Sequence, residues 1–188
     1  MITRDEERMA TAWARAIIAE RLGGPRAIAP LAPVFAQRIP NFVTVYQGPR
    51  LQGCIGTLKP REGLARAIER NAIAAAFEDP RNQELSLAMV PSLTIELSLL
   101  SPRVPMRFSS EQDARAQLRP QIDGALLECK QHRGVFLPQV WRSLPEPREF
   151  LDQLKVKAGL RADFWAPDVA IERFTVHEFY DGPSAPGA

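Results

Sequence analysis

Cysteine and histidine are scarce in this chain: its 188 residues include two of each, Cys54 and Cys129, His132 and His177. Two cysteines form no disulfide framework, and a globular chain of this length buries roughly 70% of its unfolded surface without one. The expected setting is a reducing cytoplasm. A structural zinc needs four ligands. Cys129 and His132 have the spacing of half such a site, but nothing in the sequence brings Cys54 and His177 to join them, so no metal is expected. A charge excess is also lacking, since 24 Lys and Arg against 22 Asp and Glu leave a net charge of +2. These charges are interleaved rather than gathered into a basic stripe, which argues against nucleic acid. No apolar run approaches the ~20 residues that span a bilayer. The start, Met-Ile-Thr-Arg-Asp-Glu-Glu, has no basic segment leading into an apolar one, so neither a membrane segment nor a signal peptide is expected. Gly-x-Gly-x-x-Gly, Gly-x-x-x-x-Gly-Lys-Ser/Thr and Cys-x-x-x-Cys-x-x-Cys are all missing, which leaves no nucleotide cradle, no iron–sulfur cluster and no identifiable cofactor.

What is present reads as mixed α and β. Thr3 and Glu6 make a capping box, and Met9, Ala12, Trp13, Ala16 and Ile17 recur at helical spacing until Gly23-Gly24-Pro25. A proline-rich connector follows. Phe42 to Tyr46 and Arg50 to Ile55 form a hairpin across Gln47-Gly48-Pro49. A helix opening near Pro60 runs to Phe77, with Leu64, Ile68, Ala72, Ala75 and Ala76 as its buried stripe. Asp79-Pro80 ends it. Leu93 to Leu99 alternates, with Thr94, Glu96 and Ser98 facing away from the leucines and Ile95.

The second half repeats this order. After a short helix, Glu111 to Leu118, a hairpin joins Asp123–Cys129 to Arg133–Leu137. A helix from Pro147 buries Phe150, Leu151, Leu154 and Ala158. Val169 to Tyr180 is a long strand whose apolar phase slips between Ile171 and Phe174, a sign of a bulge or a change of buried face. The expected fold class is therefore α+β: a curved, largely antiparallel sheet built from two hairpin-helix-strand (ββαβ) pseudo-repeats. It forms one domain over residues 1–180, divisible into lobes near 1–102 and 103–180, with 181–188 as a flexible tail.

Several blocks resemble the AMMECR-domain family, also called AmmeMemoRadiSam system protein A. They are Phe42-Val43-Thr44-Val45, Leu51-Gln52-Gly53-Cys54-Ile55-Gly56, Asn71 to Ala76 with Asp79-Pro80-Arg81, Leu93 to Ser98, and Arg133 to Trp141. Phe150-Leu151 and Lys157-Ala158-Gly159-Leu160 complete the match. Three departures stand out. Gln52 replaces the family's usual Arg, Asn82 replaces its usual Phe, and Leu85-Ser86-Leu87-Ala88 lacks an acidic residue common there. The resemblance implies an α+β fold and no settled activity. The family name, used in bacteria and archaea, links such proteins to a Memo-like protein and a radical S-adenosylmethionine protein, which are the partners it implies.

Cys54 is the first candidate for chemistry. A thiolate is a strong nucleophile, and Gly53 and Gly56 beside it would leave room for a substrate. The plainer reading is a small buried hydrophobe. Glu96, a carboxylate within a strand, needs water or a partner; it could serve as a base or hold a ligand amine. Arg81 and Arg133 could fork onto a carboxylate or phosphate, though a local bond from Arg81 to Asp79 is the ordinary explanation. Gln52 and Gln139 complete the expected ligand contacts, and Trp141 reads as packing.

Two classes of function follow. In one, Cys54, Glu96, Arg133 and Gln139 converge on a cleft for a small polar ligand, in a binding protein or thiol-dependent enzyme component. In the other, the same cleft serves a non-catalytic adaptor, with Arg133 and Trp141 carrying recognition. Substrate, reaction and oligomeric state are not legible in the sequence.

Overall fold

The computed structural model describes residues 2–182. The chain divides into two compact units. One is the chain up to Leu99 and again from His177; the other is Leu100–Val176.

In the first unit, the hairpin strands β1 (Asn41–Gln47) and β2 (Arg50–Thr57) pair antiparallel, and β3 (Leu93–Leu100) pairs antiparallel with β1. The last strand, β8 (Val176–Asp181), adds to β3, giving the order β2-β1-β3-β8. Helices α1 (Arg4–Arg21) and α2 (Leu64–Phe77) belong to the same unit. The Thr3–Glu6 capping box opens α1. Its buried stripe is Ala10, Trp13, Ala14, Ile17 and Ile18. The expected stripe sat one residue off, since Met9 and Ala12 are exposed. All five apolar residues predicted for α2 are fully buried, with Val43, Val45, Ile95 and Leu97 in the same core. Each such large aliphatic side chain contributes about 1.5–3 kcal/mol of transfer free energy. The helix begins at Leu64, not Pro60, capped by Gly63.

In the second unit, β5 (Gly124–Cys129) pairs antiparallel with β6 (His132–Phe136) and with β7 (Ala170–Phe174). The two-residue strand β4 (Val104–Pro105) lies beyond β7, giving the order β4-β7-β5-β6. The core holds residues of α3 (Glu111–Gln117) and α4 (Pro147–Lys157), and Trp141 stacks on Phe150 with ring centroids 3.8 Å apart. Trp141 is fully buried and its indole Nε1 donates to the Asp123 carbonyl, so it packs rather than recognises.

The fold is α+β and antiparallel, and each unit carries a hairpin, a helix and a strand in that order. The strands, however, form two four-stranded sheets, not one. The slip expected between Ile171 and Phe174 falls where pairing with β5 is unbroken, and the change of sheet comes just after it. Pairing breaks at Thr175, so Ala170–Phe174 joins the second sheet and Val176–Asp181 the first. Residues 183–188, expected as a tail, lie outside the described residues.

Candidate functional site

Cys54 owes its position to a one-residue irregularity. Counting back from the turn pair Gln47↔Arg50, an unbroken ladder would set Cys54 opposite Val43, on the core side. Instead the register shifts between Val45 and Tyr46: Tyr46 pairs with Leu51, Val45 with Gly53, and Gln52 is the extra residue. Because side-chain direction has a period of two, that single residue turns everything after it to the other face. Cys54 thereby lies opposite Thr44, and Thr44 lies opposite Glu96 on β3. A thiol, a hydroxyl and a carboxylate form one row across three strands. At ordinary strand spacing the outer two positions are ~10 Å apart. The Thr44 hydroxyl donates to Cys54 Sγ at 3.2 Å.

That face is not the solvated one a polar alternation suggests. Thr44, Thr94 and Ser98 are buried, and Glu96 and Cys54 are half-buried. Burial pushes the Cys54 thiol above its ordinary value. The Thr44 hydrogen bond and the charge of Arg81 pull the other way, and the charges of Glu96 and Asp79 add to the rise. The thiol is therefore protonated near neutrality, and only its thiolate would be a nucleophile. The first unit's one histidine is no base for it. His177 shares a strand face with core residue Phe179, the helix side of the sheet, and its Nε2 lies 2.7 Å from Glu7 Oε1 of α1.

Asp79 ties the row to the end of α2. This carboxylate is 2% exposed. Its Oδ2 accepts from the Cys54 backbone N–H at 3.0 Å and from an Arg81 terminal nitrogen at 2.7 Å. Its Oδ1 accepts from the Arg81 backbone N–H and Nε, each at 2.9 Å. The Arg81 side-chain bonds, followed by those from the two backbone N–H groups, hold this carboxyl well below the usual carboxylate range. Arg81 keeps 57% of its side chain exposed while its fork is fixed. The local bond expected from Arg81 to Asp79 is present; the hold of Asp79 on the Cys54 backbone has no signal in the sequence. Thr44 had none, because the bulge is not legible.

The glycines serve packing. A Cβ on Gly53 would lie 2.1 Å from the Ala75 carbonyl oxygen, and one on Gly56 would lie 2.1 Å from the Phe42 ring. The space expected for a substrate is filled by protein at both. Gln52 likewise points to the helix side, where its Nε2 donates to the carbonyls of Ala76 and Gln83. It is a main-chain clamp 1% exposed, away from the face carrying Cys54. Gln52 therefore contributes no side-chain group to the row.

Arg133 and Gln139 belong to the second unit. Arg133 pairs across the hairpin with Glu128, Nε to Oε1 at 3.1 Å. Gln139 sits in the 3-10 turn Pro138–Arg142. Cys129 is buried, and burial, with a hydrogen bond to Asp168, pushes its thiol up. His132 Nδ1 lies 3.1 Å from the Ala158 carbonyl. Among the described residues no group of three or more His, Cys, Asp and Glu side chains is placed to hold a metal, and no helix is long and apolar enough to cross a membrane.

Two antiparallel sheets, each built on a ββαβ unit, and a Gly-Cys-Ile-Gly strand clamped to a following Asp-Pro-Arg define an AMMECR-type α+β protein. The AMMECR1 family model matches residues 11–179, and the chain belongs to that family. It is similar to Protein MJ0810 of Methanocaldococcus jannaschii, with 33% identity covering 95% of this chain and 92% of that one. A protein of Thermotoga maritima is 36% identical, covering 78% and 80%. The crystal structure of the uncharacterized protein PH0010 from Pyrococcus horikoshii superposes with a TM-score of 0.79, at 30% identity, covering 97% of this chain and 96% of that one.

Proposed function

We propose that this AMMECR1-family protein binds a small polar ligand on the Cys54–Thr44–Glu96 row, with Arg81 as the anion-binding group. The observation that carries this reading is the shared use of Asp79. One buried carboxylate fixes the strand amide at Cys54 and the guanidinium of Arg81 together, so a cation is held ready beside a polar row. Pre-fixing a guanidinium lowers the ordering cost of binding. The ligand carries an anionic group for Arg81 and a hydrogen-bond donor, such as an amine, for Glu96. Cys54 contributes a neutral thiol. A thiolate-nucleophile role has less support, since burial disfavours ionisation and the first unit supplies no histidine on that face. Arg133 and Gln139, expected in the same cleft, belong to the second unit and form no part of this reading. Action beside a Memo-like protein and a radical S-adenosylmethionine protein is proposed from the family name, and retention of either on the tagged chain tests it.

The ligand reading is tested by titrating 15N-labelled protein with the common α-amino acids and with inorganic phosphate. At least one amino acid is expected to move the amides of Cys54 and Arg81 saturably. Arg81→Ala or Glu96→Gln is expected to weaken that binding roughly tenfold, the value of one charge-assisted hydrogen bond. A panel that leaves those amides unmoved overturns the reading.

A further inference from the structure

The loop between α3 and β5 gathers more positive charge than it neutralises. Asp123 is fully buried there. Its Oδ2 accepts from the Arg119 backbone N–H at 2.9 Å and its Oδ1 from Arg119 Nη2 at 2.6 Å, with Nε 3.1 Å from both oxygens. Arg173 of β7 reaches the same carboxylate from the sheet. Its Nη1 lies 3.9 Å from Asp123 Oδ2 and donates to the Gln117 carbonyl, at the end of α3, at 3.1 Å. Two guanidiniums thus share one carboxylate. Neighbouring carboxylates do not cancel the excess. Glu172 precedes Arg173 but points to the other face of the sheet, where Arg103 holds it. Asp113 sits one helical turn before Gln117, and its oxygens already accept from Ser109 and from Gln117 Nε2.

Both arginines stay open to solvent, with 51% and 33% of their side chains exposed. A guanidinium carries five N–H donors. Arg119 uses Nε and Nη2 on Asp123, and Arg173 uses only Nη1. Among the described residues, Arg119 Nη1 and Arg173 Nη2 therefore keep donors with no protein partner. One fork satisfies a carboxylate. Two forks from different elements fit an anion whose oxygens point in several directions, as those of a phosphoryl group do. The buried carboxylate fixes Arg119 in advance, which lowers the ordering cost of binding. We infer that Arg119 and Arg173 form a second ligand site, which takes the phosphoryl group of a small phosphate ester, with Asp123 as the positioning group beneath them.

The test uses the full chain, 15N-labelled, titrated with phenyl phosphate, inorganic phosphate and acetate at an ionic strength held constant with chloride. Phenyl phosphate is expected to move the amides of Arg119, Asp123 and Arg173 saturably, and to bind at least as tightly as inorganic phosphate. Acetate is expected to bind roughly tenfold more weakly, as the loss of one charge-assisted contact implies. Arg173→Gln keeps a donor for the Gln117 carbonyl and is expected to weaken phenyl phosphate roughly tenfold in a folded protein. Arg119→Lys keeps a positive charge on Asp123 but loses the fork, and a similar weakening is expected. Acetate binding as tightly as phenyl phosphate, shifts that chloride reproduces, or full affinity in Arg173→Gln overturns the site. Shifts confined to Cys54 and Arg81 overturn it too. Binding of inorganic phosphate with exclusion of phenyl phosphate overturns the ester and assigns the free ion. The site lies within the second unit and shares no residue with the Cys54 row, so either proposal can fail alone.

Discussion

Gly53 tolerates no side chain, although its neighbour Cys54 is the residue that draws attention. The Ala75 carbonyl oxygen and Asp79 Cβ would lie 2.1 Å and 2.6 Å from an added methyl. The helix backbone cannot yield cheaply, so Gly53→Ala is expected to cost about 2–3 kcal/mol in urea unfolding. A cost under about 0.5 kcal/mol would mean that β2 and α2 stand further apart than described. Not every residue was equally open to reading from sequence. The Asp79–Arg81 bond was legible, because residues two apart at a helix end readily meet. The purpose of the glycines was not, since an open position and a tightly filled one demand the same residue. Gln52 misled for a related reason: a buried amide serving main-chain carbonyls looks, in sequence, like a ligand contact.

At the level of elements, Asp79 couples the end of α2 to β2, and that coupling has a pH signature. Its folded pKa is depressed below the unfolded value of about 3.9. The stabilisation is therefore complete above about pH 4 and is lost progressively as pH falls through the depressed value. Asp79→Asn is expected to destabilise the protein by about 2–3 kcal/mol at pH 7, and by steadily less below pH 4. Thermal unfolding of both proteins across that range checks it; a penalty unchanged from pH 7 to pH 3 would remove the carboxylate from the account. In the second unit the corresponding tie is the fully buried Lys155, whose Nζ lies 2.7 Å from Glu111 Oε1 and 3.0 Å from Asp152 Oδ1. Arg115 also contacts both carboxylates. Helical periodicity identifies the apolar stripe of α4 but passes over this lysine, because nothing local marks a charge that is completed by Glu111 from another helix.

Across the whole molecule, the hairpin-helix-strand order recurs, and in both sheets the first hairpin strand is central, flanked by its partner and by the later strand. Local pattern suffices for that order, since turns and apolar periods are short-range signals. Sheet membership is long-range, so the split at Thr175 read only as a slip in phase. The candidate site depends on a bulge, which sequence does not mark, and without it Cys54 would face the core. The shifted strand presents a neutral thiol beside a clamped guanidinium. The most direct test is the pH–rate profile of iodoacetamide labelling at Cys54 in the folded protein. The expected result is an inflection above the ordinary thiol value of 9.0, and a further rise in Arg81→Ala. Fast labelling at neutral pH with an inflection below that of a free cysteine peptide would contradict it and restore the nucleophile.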